Sequence, residues 1–282
     1  MSHVYLNGDF IETTKATVSI FDRGFLFADG VYEVVPYFNN KPFQLNEHLD
    51  RLKRSLHEIS LDFDVDKTDW TAIIDHLAQH SDNSNFSIYI QITRGADIMR
   101  SHLPTQKLTP TILVLLLPLK TKKIDTSKVV GQKAITQNDI RWQRCDIKSI
   151  ALLPNIMFKQ KAQQQNAVEA ILVKENFVTE GASSNVFIVK DGVVITHPIN
   201  EYILGGITRF FLIESLKAHN IPIKEERILK SDLYTADEVW LTSSTQNVSA
   251  VTQVDDKIIG SGKVGPLYLQ VAEYFNIALE SL

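Results

Sequence analysis

The chain has 282 residues, of which 44% are apolar and 22% are charged, and its formal net charge is −4. This length and apolar content suit one large globular domain or two smaller ones. The charge balance, without a basic stripe, argues against nucleic acid or an anionic membrane as the main partner. The single cysteine excludes an intrachain disulfide, and no apolar run is long enough to span a bilayer. We therefore expect a cytoplasmic protein without membrane contact.

The chain opens with two predicted hairpins. The pair Asn7-Gly8 separates the apolar residues 4–6 from 10–11, and the pair Asn39-Asn40 separates a strand that begins at Val31 from residues 42–43. Asparagine and glycine tolerate the positive φ of tight turns, so both pairs mark chain reversals.

Two helices and two strands follow in the first half. Asn46 is predicted to cap a helix, because apolar residues recur after it at helical spacing. A second helix is predicted over 69–80. Residues 86–93 alternate between apolar and polar and predict a half-buried strand, whereas 111–117 are apolar on both faces, as in a central strand.

The composition changes after Pro118, where a polar, aperiodic stretch begins. We place a linker at 120–130, between an N-terminal domain, 1–119, and a C-terminal domain, 131–282. In the second half, strands and helices mix without regular βαβ alternation, and Thr208 is predicted to cap a helix that runs to His219. The predicted fold class is α+β with two domains.

Two ionisable residues are candidates for covalent or acid–base chemistry. Lys148 lies between Ile147 and Ile150, and a desolvated amine is the form that attacks a carbonyl; taken alone, it also suits an ordinary exposed lysine. Glu180 ends a predicted strand and is followed by small residues that permit close approach of a ligand. An ordinary turn glutamate is the alternative.

Several groups are suited to anions. The sequence GGITR at 205–209 places glycines before a predicted helix N-terminus, which suits a phosphate, although a simple capped loop is equally consistent. Ser243 and Ser244 lie in a hydroxyl cluster after a short strand, which is able to donate to phosphate or is only a polar turn. Arg51 interrupts an apolar helix face and either binds an anion or extends to solvent. Arg100 and His102 form a compact cationic pair that suits a carboxylate, or else a solvated loop.

A metal site is not expected. His76 and His80 are four residues apart, but leucine follows the first histidine where a zinc protease would carry glutamate.

Taken together and in order, these segments resemble the fold-type IV, or class IV, pyridoxal-phosphate enzymes, which include branched-chain aminotransferases, D-amino acid aminotransferases and aminodeoxychorismate lyases. The matching segments are DRG at 22–24, FADGVYE at 27–33, NEHLDRL at 46–52, DIRW at 139–142, CDIKS at 145–149, TEGASSN at 179–185, GGITR at 205–209 and TSST at 242–245.

The resemblance implies a smaller N-terminal α/β domain, a larger C-terminal domain with a barrel-like sheet, and pyridoxal 5'-phosphate as cofactor. It implies that Lys148 forms the Schiff base and moves the proton, and that Glu180 faces the pyridine nitrogen. The remaining cofactor contacts that it implies are Arg51, Leu204, Ile207, Thr208, Ser243 and Ser244.

Within the family, the chain is most similar to the D-amino acid aminotransferases. That likeness rests on Tyr32, on the Arg100-x-His102 pair and on the segment around Lys148. It implies that Tyr32, Arg100 and His102 bind the substrate α-carboxylate, with the pair supplied by the partner subunit of a homodimer. The expected reaction is transamination between a D-amino acid, such as D-alanine, and a 2-oxo acid, such as 2-oxoglutarate. Aminodeoxychorismate lyase and branched-chain L-amino acid aminotransferase are the alternatives.

Overall fold

The computed structural model describes residues 3–81, 83–119 and 123–282, and the chain divides into two compact units. The first unit comprises the described residues of Met1–Lys120 together with Ile147–Ala151 and Leu282. The second comprises those of Thr121–Asp146 and Leu152–Ser281. Of the predicted linker 120–130, residues 120–122 lie outside the described residues, and the predicted domain limits stay a prediction.

The first unit contains one antiparallel sheet of six strands in the order β2-β1-β6-β5-β3-β4. Its strands are β1 (His3–Leu6), β2 (Asp9–Glu12), β3 (Gly30–Phe38), β4 (Lys41–Pro42), β5 (Phe86–Thr93) and β6 (Thr111–Pro118). Its helices are α1 (Arg23–Phe27), α2 (Leu45–Glu58) and α3 (Trp70–Ala78), with a 3₁₀ turn at Val65–Lys67.

Both predicted hairpins are confirmed. Asn7 and Gly8 join β1 to β2 with φ of 54° and 107°, and Asn39 and Asn40 join β3 to β4 with φ of 51° and 61°. All four residues are in the left-handed region that favours asparagine and glycine.

The start of α2 was predicted wrongly. Asn46 is not the cap: the helix begins at Leu45, after Gln44 in a left-handed conformation with φ of 59°. The chain reverses at Gln44, so the helix starts before the residue whose side chain is best suited to capping it. Helix α3 follows the expected pattern, because the Asp69 carboxylate accepts a hydrogen bond from the backbone N–H of Ala72 at 3.0 Å.

The core of the first unit lies between the sheet and helices α2 and α3. Removal of each large apolar side chain from water contributes about 1.5–3 kcal/mol. The fully or almost fully buried members include Val31, Val35, Leu52, Leu56, Ile74, Leu77, Ile88, Ile90 and Ile92.

The second unit contains a curled, half-barrel sheet of mixed strands in the order β12-β11-β10-β14-β15-β7-β8-β9-β13, with β16 beside β15. Its strands are β7 (Gln132–Asn138), β8 (Glu169–Lys174), β9 (Phe177–Gly181), β10 (Asn185–Lys190), β11 (Val193–Thr196), β12 (Ile223–Glu225), β13 (Ile228–Leu229), β14 (Glu238–Ser243), β15 (Asn247–Val254) and β16 (Lys257–Ile258). Its helices are α4 (Leu153–Gln164), α5 (Ile207–Ala218), α6 (Lys230–Thr235) and α7 (Pro266–Glu280).

The predicted cap of α5 was also wrong. The helix begins at Ile207, and its N-cap is Gly206 with extended backbone and no side-chain cap, so Thr208 lies inside the first turn. The two units together have the predicted α+β class. Among the described residues, none of the helices combines the length and apolar character needed to cross a bilayer.

Candidate active site

In the first unit, Lys148 lies beside β3 and α2. Ser149 forms an isolated β-bridge with Val31, and the backbone N–H of Tyr32 donates to the carbonyl of Lys148 at 3.0 Å. On the other side, the N–H of Lys148 donates to Oγ of the buried Ser55 at 3.3 Å. The lysine is half-buried, and its Nζ lies 4.3 Å from the centroid of the Tyr32 ring. Two predicted site residues, Lys148 and Tyr32, are therefore brought together.

A buried polar cluster lies next to this lysine, and the sequence analysis assigned no role to two of its members. Glu33, which has no exposed surface, binds Arg51 through Oε1 at 2.7 Å and Nδ1 of His48 through Oε2 at 2.7 Å. Burial would raise the pKa of Glu33, but the charge of Arg51 and hydrogen bonds from both partners hold that pKa well below its usual range. The predicted contact of Arg51 with phosphate stays a prediction; its partner here is Glu33.

The protonation state of His48 follows from the same cluster. Burial, opposed by Glu33, lowers the pKa of His48, so the ring is neutral near pH 7 and donates from Nδ1 to the carboxylate. Its Nε2 atom is buried and has no hydrogen-bond partner within the described part of the chain.

Arg100 and His102 lie on the loop between β5 and β6, and both side chains are exposed. The guanidinium carbon of Arg100 lies 4.9 Å from the centroid of the Phe27 ring, and the rings of Phe27 and His102 are 5.6 Å apart. The predicted cationic pair is thus presented at the surface of the first unit, around one aromatic ring.

In the second unit, the carboxylate of Glu180 is buried and hydrogen-bonded on both oxygens. Oε1 accepts from Nη1 of Arg141 at 2.5 Å, and Oε2 accepts from Nδ2 of Asn185 at 3.1 Å and from the N–H of Leu204 at 3.0 Å. Burial raises the pKa of Glu180, and the charge of Arg141 opposes that rise. The structure thus brings together the predicted residues Glu180 and Leu204.

Arg141 is itself held by a second carboxylate. Asp139 accepts from Nε of Arg141 at 3.0 Å and from Nη2 at 2.8 Å, while the hydroxyl of Thr179 donates to Asp139 at 2.9 Å. The guanidinium therefore lies between two buried carboxylates, and the Asp139 pair fixes its orientation toward Glu180.

The N-terminus of α5 provides donors for an anion. No side chain caps it, so the N–H groups of Ile207 and Thr208 remain directed beyond the first turn. A Cβ added to Gly206 would lie 2.1 Å from Oδ1 of Asn185, so this glycine permits a close approach. Asn185 pairs in register with Thr242, whose buried hydroxyl has no hydrogen-bond partner among the described residues.

The remaining predicted phosphate contacts continue from the same strand. Ser243 ends β14 opposite Asn247 of β15, and Ser244 follows in the turn; both serines are half-buried. Within the described part of the chain, the Nδ2 atom of Asn247 is buried without a partner. The uncapped backbone N–H groups at the start of α5 and the two buried polar atoms without a partner among the described residues fit a phosphate group. The assignment of Ser243 and Ser244 to it stays a prediction.

Five residues of these clusters have roles that were not expected from the sequence: Glu33, His48, Asp139, Arg141 and Asn185. A signal for Glu33 existed, because it lies two residues from both Val31 and Val35 and so shares their buried face of β3. Arg141 is 39 residues from Glu180 and Asn185 is 19 residues from Leu204, so these two contacts left no local signal.

The model of the class IV amino-transferase family matches residues 30–254. The chain belongs to the class IV aminotransferases. Enzymes of this class use pyridoxal 5'-phosphate. The residues of each unit, taken separately, are chemically suited to that cofactor. In the first unit, Lys148 is an amine for its aldehyde; in the second unit, Glu180 is a buried carboxylate for its ring nitrogen and the start of α5 suits its phosphate.

The relatives that match over the whole chain include two staphylococcal enzymes. The D-alanine aminotransferase of Staphylococcus aureus (strain N315) is 40% identical over 284 residues, covering 100% of this chain and 99% of the relative. That of Staphylococcus haemolyticus is 41% identical over 281 residues, with the same coverage.

Solved structures share the fold. The branched-chain aminotransferase of the archaeon Thermoproteus uzoniensis, solved with norvaline, has a TM-score of 0.85 at 25% identity, covering 99% of this chain and 95% of that one. A structure from Legionella pneumophila that is named provisionally as a 4-amino-4-deoxychorismate lyase has a TM-score of 0.82 at 22% identity, covering 94% of this chain and 97% of that one. The fold is therefore fold-type IV, and it is shared by enzymes named for different reactions.

Proposed function

We propose that this chain transfers an amino group between a D-amino acid, such as D-alanine, and a 2-oxo acid, such as 2-oxoglutarate. The observation that carries the proposal is the position of Lys148, half-buried with its Nζ 4.3 Å from the ring of Tyr32. The full-length similarity to D-alanine aminotransferases supports the choice of substrate.

When bound, pyridoxal 5'-phosphate supplies an aldehyde that condenses with amines and a ring that accepts the electron pair of the Cα–H bond. Lys148 would hold the cofactor through Nζ and then accept and return the proton of the substrate Cα at that atom. The Tyr32 ring and the Ser55 hydrogen bond fix the start and direction of the lysine side chain, which limits the positions of Nζ.

Glu180 would hold a proton at the ring nitrogen. Its burial raises the affinity of the carboxyl for protons, while Arg141 keeps a positive charge beside it. A carboxylate in this setting, oriented by Asn185 and Leu204, is suited to pair with a protonated pyridine nitrogen. Ile207 and Thr208 would bind the phosphate through their N–H groups, assisted by Ser243, Ser244 and Arg51.

Arg100 and His102 would bind the substrate α-carboxylate together with Tyr32. A carboxylate bound at a fixed position determines which Cα–H faces Nζ of Lys148, and therefore which enantiomer reacts. This stereochemical consequence separates the proposed reaction from that of a branched-chain L-amino acid aminotransferase.

The proposal includes a cytoplasmic homodimer in which Arg100 and His102 of each subunit bind the substrate carboxylate in the active site of the other. It is supported by apolar side chains that the first unit exposes on this loop and on residues 20–25, which the Asp22–Ala96 bridge joins to the start of the loop, since such surface favours burial in an interface. They are Ile20, Phe25, Ile98 and Leu103, which are 66–77% exposed. A mixture of Lys148→Ala and Arg100→Ala chains tests the shared site, because a mixed dimer would regain one intact site and with it activity.

The proposed reaction is tested by incubating the purified protein and its cofactor with alanine and 2-oxoglutarate and measuring pyruvate. We expect pyruvate from D-alanine and none from L-alanine. Lys148→Ala should abolish both turnover and the visible absorbance of the bound cofactor, whereas Lys128→Ala, at an exposed lysine paired with Asp125, should change neither. Amino transfer from L-leucine, or pyruvate release from aminodeoxychorismate without D-alanine activity, would contradict the proposal.

A further inference from the structure

The loop that carries Arg100 and His102 is closed at its base by a carboxylate. Asp97 accepts hydrogen bonds from the backbone N–H of Thr105 at 2.9 Å and from the Thr105 hydroxyl. Between these two residues the side chains of Arg100 and His102 are exposed. The two ends of loop 97–105 are thus hydrogen-bonded to each other. This contact does not fix the central part of the loop, which requires a separate anchor.

Arg23 provides that anchor. Its side chain is 6% exposed, and it donates from Nη1 to the carbonyl of Ser101 at 2.7 Å and from Nη2 to the carbonyl of His102 at 2.7 Å. Its Nε donates to Oδ2 of Asp29 at 2.8 Å. One planar guanidinium therefore binds two successive carbonyl groups of the loop, with a carboxylate on its third side.

The anchor is connected to α2 through a second arginine. Asp29 also accepts from Nε of Arg94 at 2.8 Å and from its Nη2 at 3.0 Å. Arg94 in turn donates to the carbonyl groups of Ile59 at 2.7 Å and Ser60 at 2.9 Å, at the end of α2. Arg23 is thus linked, through Asp29 and Arg94, to the residues that directly follow α2.

Phe27 supports the other side of the loop. The guanidinium carbons of Arg23 and Arg100 each lie 4.9 Å from the centroid of its ring, and the ring of His102 lies 5.6 Å away. Cations within about 6 Å of an aromatic ring are attracted to its face. The ring therefore restricts the direction of the Arg100 side chain as well as the path of the backbone.

We propose that Arg23 is a positioning residue for recognition of the substrate carboxylate, with Phe27 as the surface on which Arg100 rests. This inference rests on the proposed function, in which Arg100 and His102 bind that carboxylate. By fixing the carbonyl groups of Ser101 and His102, Arg23 orders the loop before substrate arrives, so less ordering is needed on binding. A lysine at position 23 keeps the charge but cannot bind both carbonyl groups and Asp29 in one plane.

The test compares two reagents that condense with the cofactor aldehyde of the holoenzyme. Aminooxyacetate carries a carboxylate and methoxyamine does not, and both are followed by the loss of visible absorbance. In the unmodified protein we expect a faster reaction with aminooxyacetate. Arg23→Lys should lower the ratio of the two rates about tenfold, as expected when a binding group is displaced, with the methoxyamine rate unchanged. Phe27→Leu should lower the ratio in the same direction.

Arg227→Lys is the matched control, because Arg227 is an exposed arginine that also lies over a phenylalanine, 5.1 Å from the ring of Phe177. It should leave the ratio unchanged. An unchanged ratio in both Arg23→Lys and Phe27→Leu would overturn this inference while leaving the proposed function intact. Equal rates with the two reagents in the unmodified protein would instead contradict the carboxylate role of Arg100 and His102, and the inference with it.

Discussion

The guanidinium of Arg51 donates from Nε to Oε1 of Glu33 at 2.7 Å and from Nη2 to Oε2 at 2.8 Å, and the Glu33 side chain has no exposed surface. The pair joins the middle of α2 to the middle of β3. A bidentate pair of this kind fixes both side chains, but its burial makes each charge dependent on the other.

Glu33→Gln should therefore destabilise the protein by about 3–5 kcal/mol, the range for removing one partner of a buried ion pair. The change leaves the buried Arg51 cation without this counter-charge. Urea unfolding at pH 7.5 measures the loss. Glu214→Gln is the control, because Glu214 pairs with Lys217 on an exposed surface, and there the loss should stay under about 1 kcal/mol. Equal losses in the two variants would contradict the prediction.

The contribution of Glu33 to stability should depend on pH. Its pKa in the folded protein lies below the ordinary value of 4.5, so the unfolded chain binds more protons in acid. The stabilisation is therefore complete above about pH 4.5 and is lost as the pH falls toward the folded pKa. In unfolding measured from pH 7 to pH 3, the difference between the unmodified protein and Glu33→Gln should shrink below pH 4.5. A difference that stays constant over this range would refute the linkage.

Gly206→Ala should weaken cofactor binding about tenfold, which corresponds to about 1.4 kcal/mol. The new Cβ would lie 2.1 Å from Oδ1 of Asn185, so the Asn185 amide must shift, and the same amide donates a hydrogen bond to Glu180. Titration of the apoprotein with pyridoxal 5'-phosphate measures the affinity. Gly205→Ala is the comparison, because its Cβ would meet the edge of the partly exposed Phe210 ring at 3.1 Å, and that ring can turn aside. A larger effect at position 205 would contradict this account.

Cys145 should be unreactive in the folded protein. Its thiol is buried and donates to the carbonyl of Trp142 at 3.2 Å, and burial raises its pKa to about 12. Because the thiolate is the reactive form, alkylation by iodoacetamide at pH 8 should be slow in buffer and fast in denaturant. Mass spectrometry of the labelled chain measures both rates. Equal rates in the two conditions would show that the thiol is accessible.

Local chemistry explains which parts of the fold could be predicted. The turns at Asn7-Gly8 and Asn39-Asn40 depend on the conformational freedom of those residues alone, and the sequence analysis located both. The start of α2 could not be found in this way, because Gln44 adopts a left-handed conformation and no side chain caps the helix. At α5, Thr208 has a suitable capping side chain but lies one residue inside the helix.

The same distinction between local and long-range causes applies to the candidate site. The resemblance identified Lys148 and Tyr32, and the structure shows that they are neighbours. The contacts that orient other site residues join distant parts of the sequence. Arg23 binds the carbonyl of Ser101, 78 residues away, and Arg141 binds Glu180, 39 residues away. Only the folded sheet and loops bring these pairs together, so neither spacing nor residue type along the chain could predict them.

Residues 147–151 belong to the first unit although the chain on either side of them belongs to the second. After leaving the six-stranded sheet at β6, the chain therefore returns to it, and Lys148 contacts Tyr32 of β3 and Ser55 of α2. A hybrid gene that joined two homologues near residue 120 would combine the lysine of one parent with the receiving strand and helix of the other. In a functional hybrid, residues 147–151 must therefore come from the same parent as the N-terminal part. A single crossover cannot produce that arrangement.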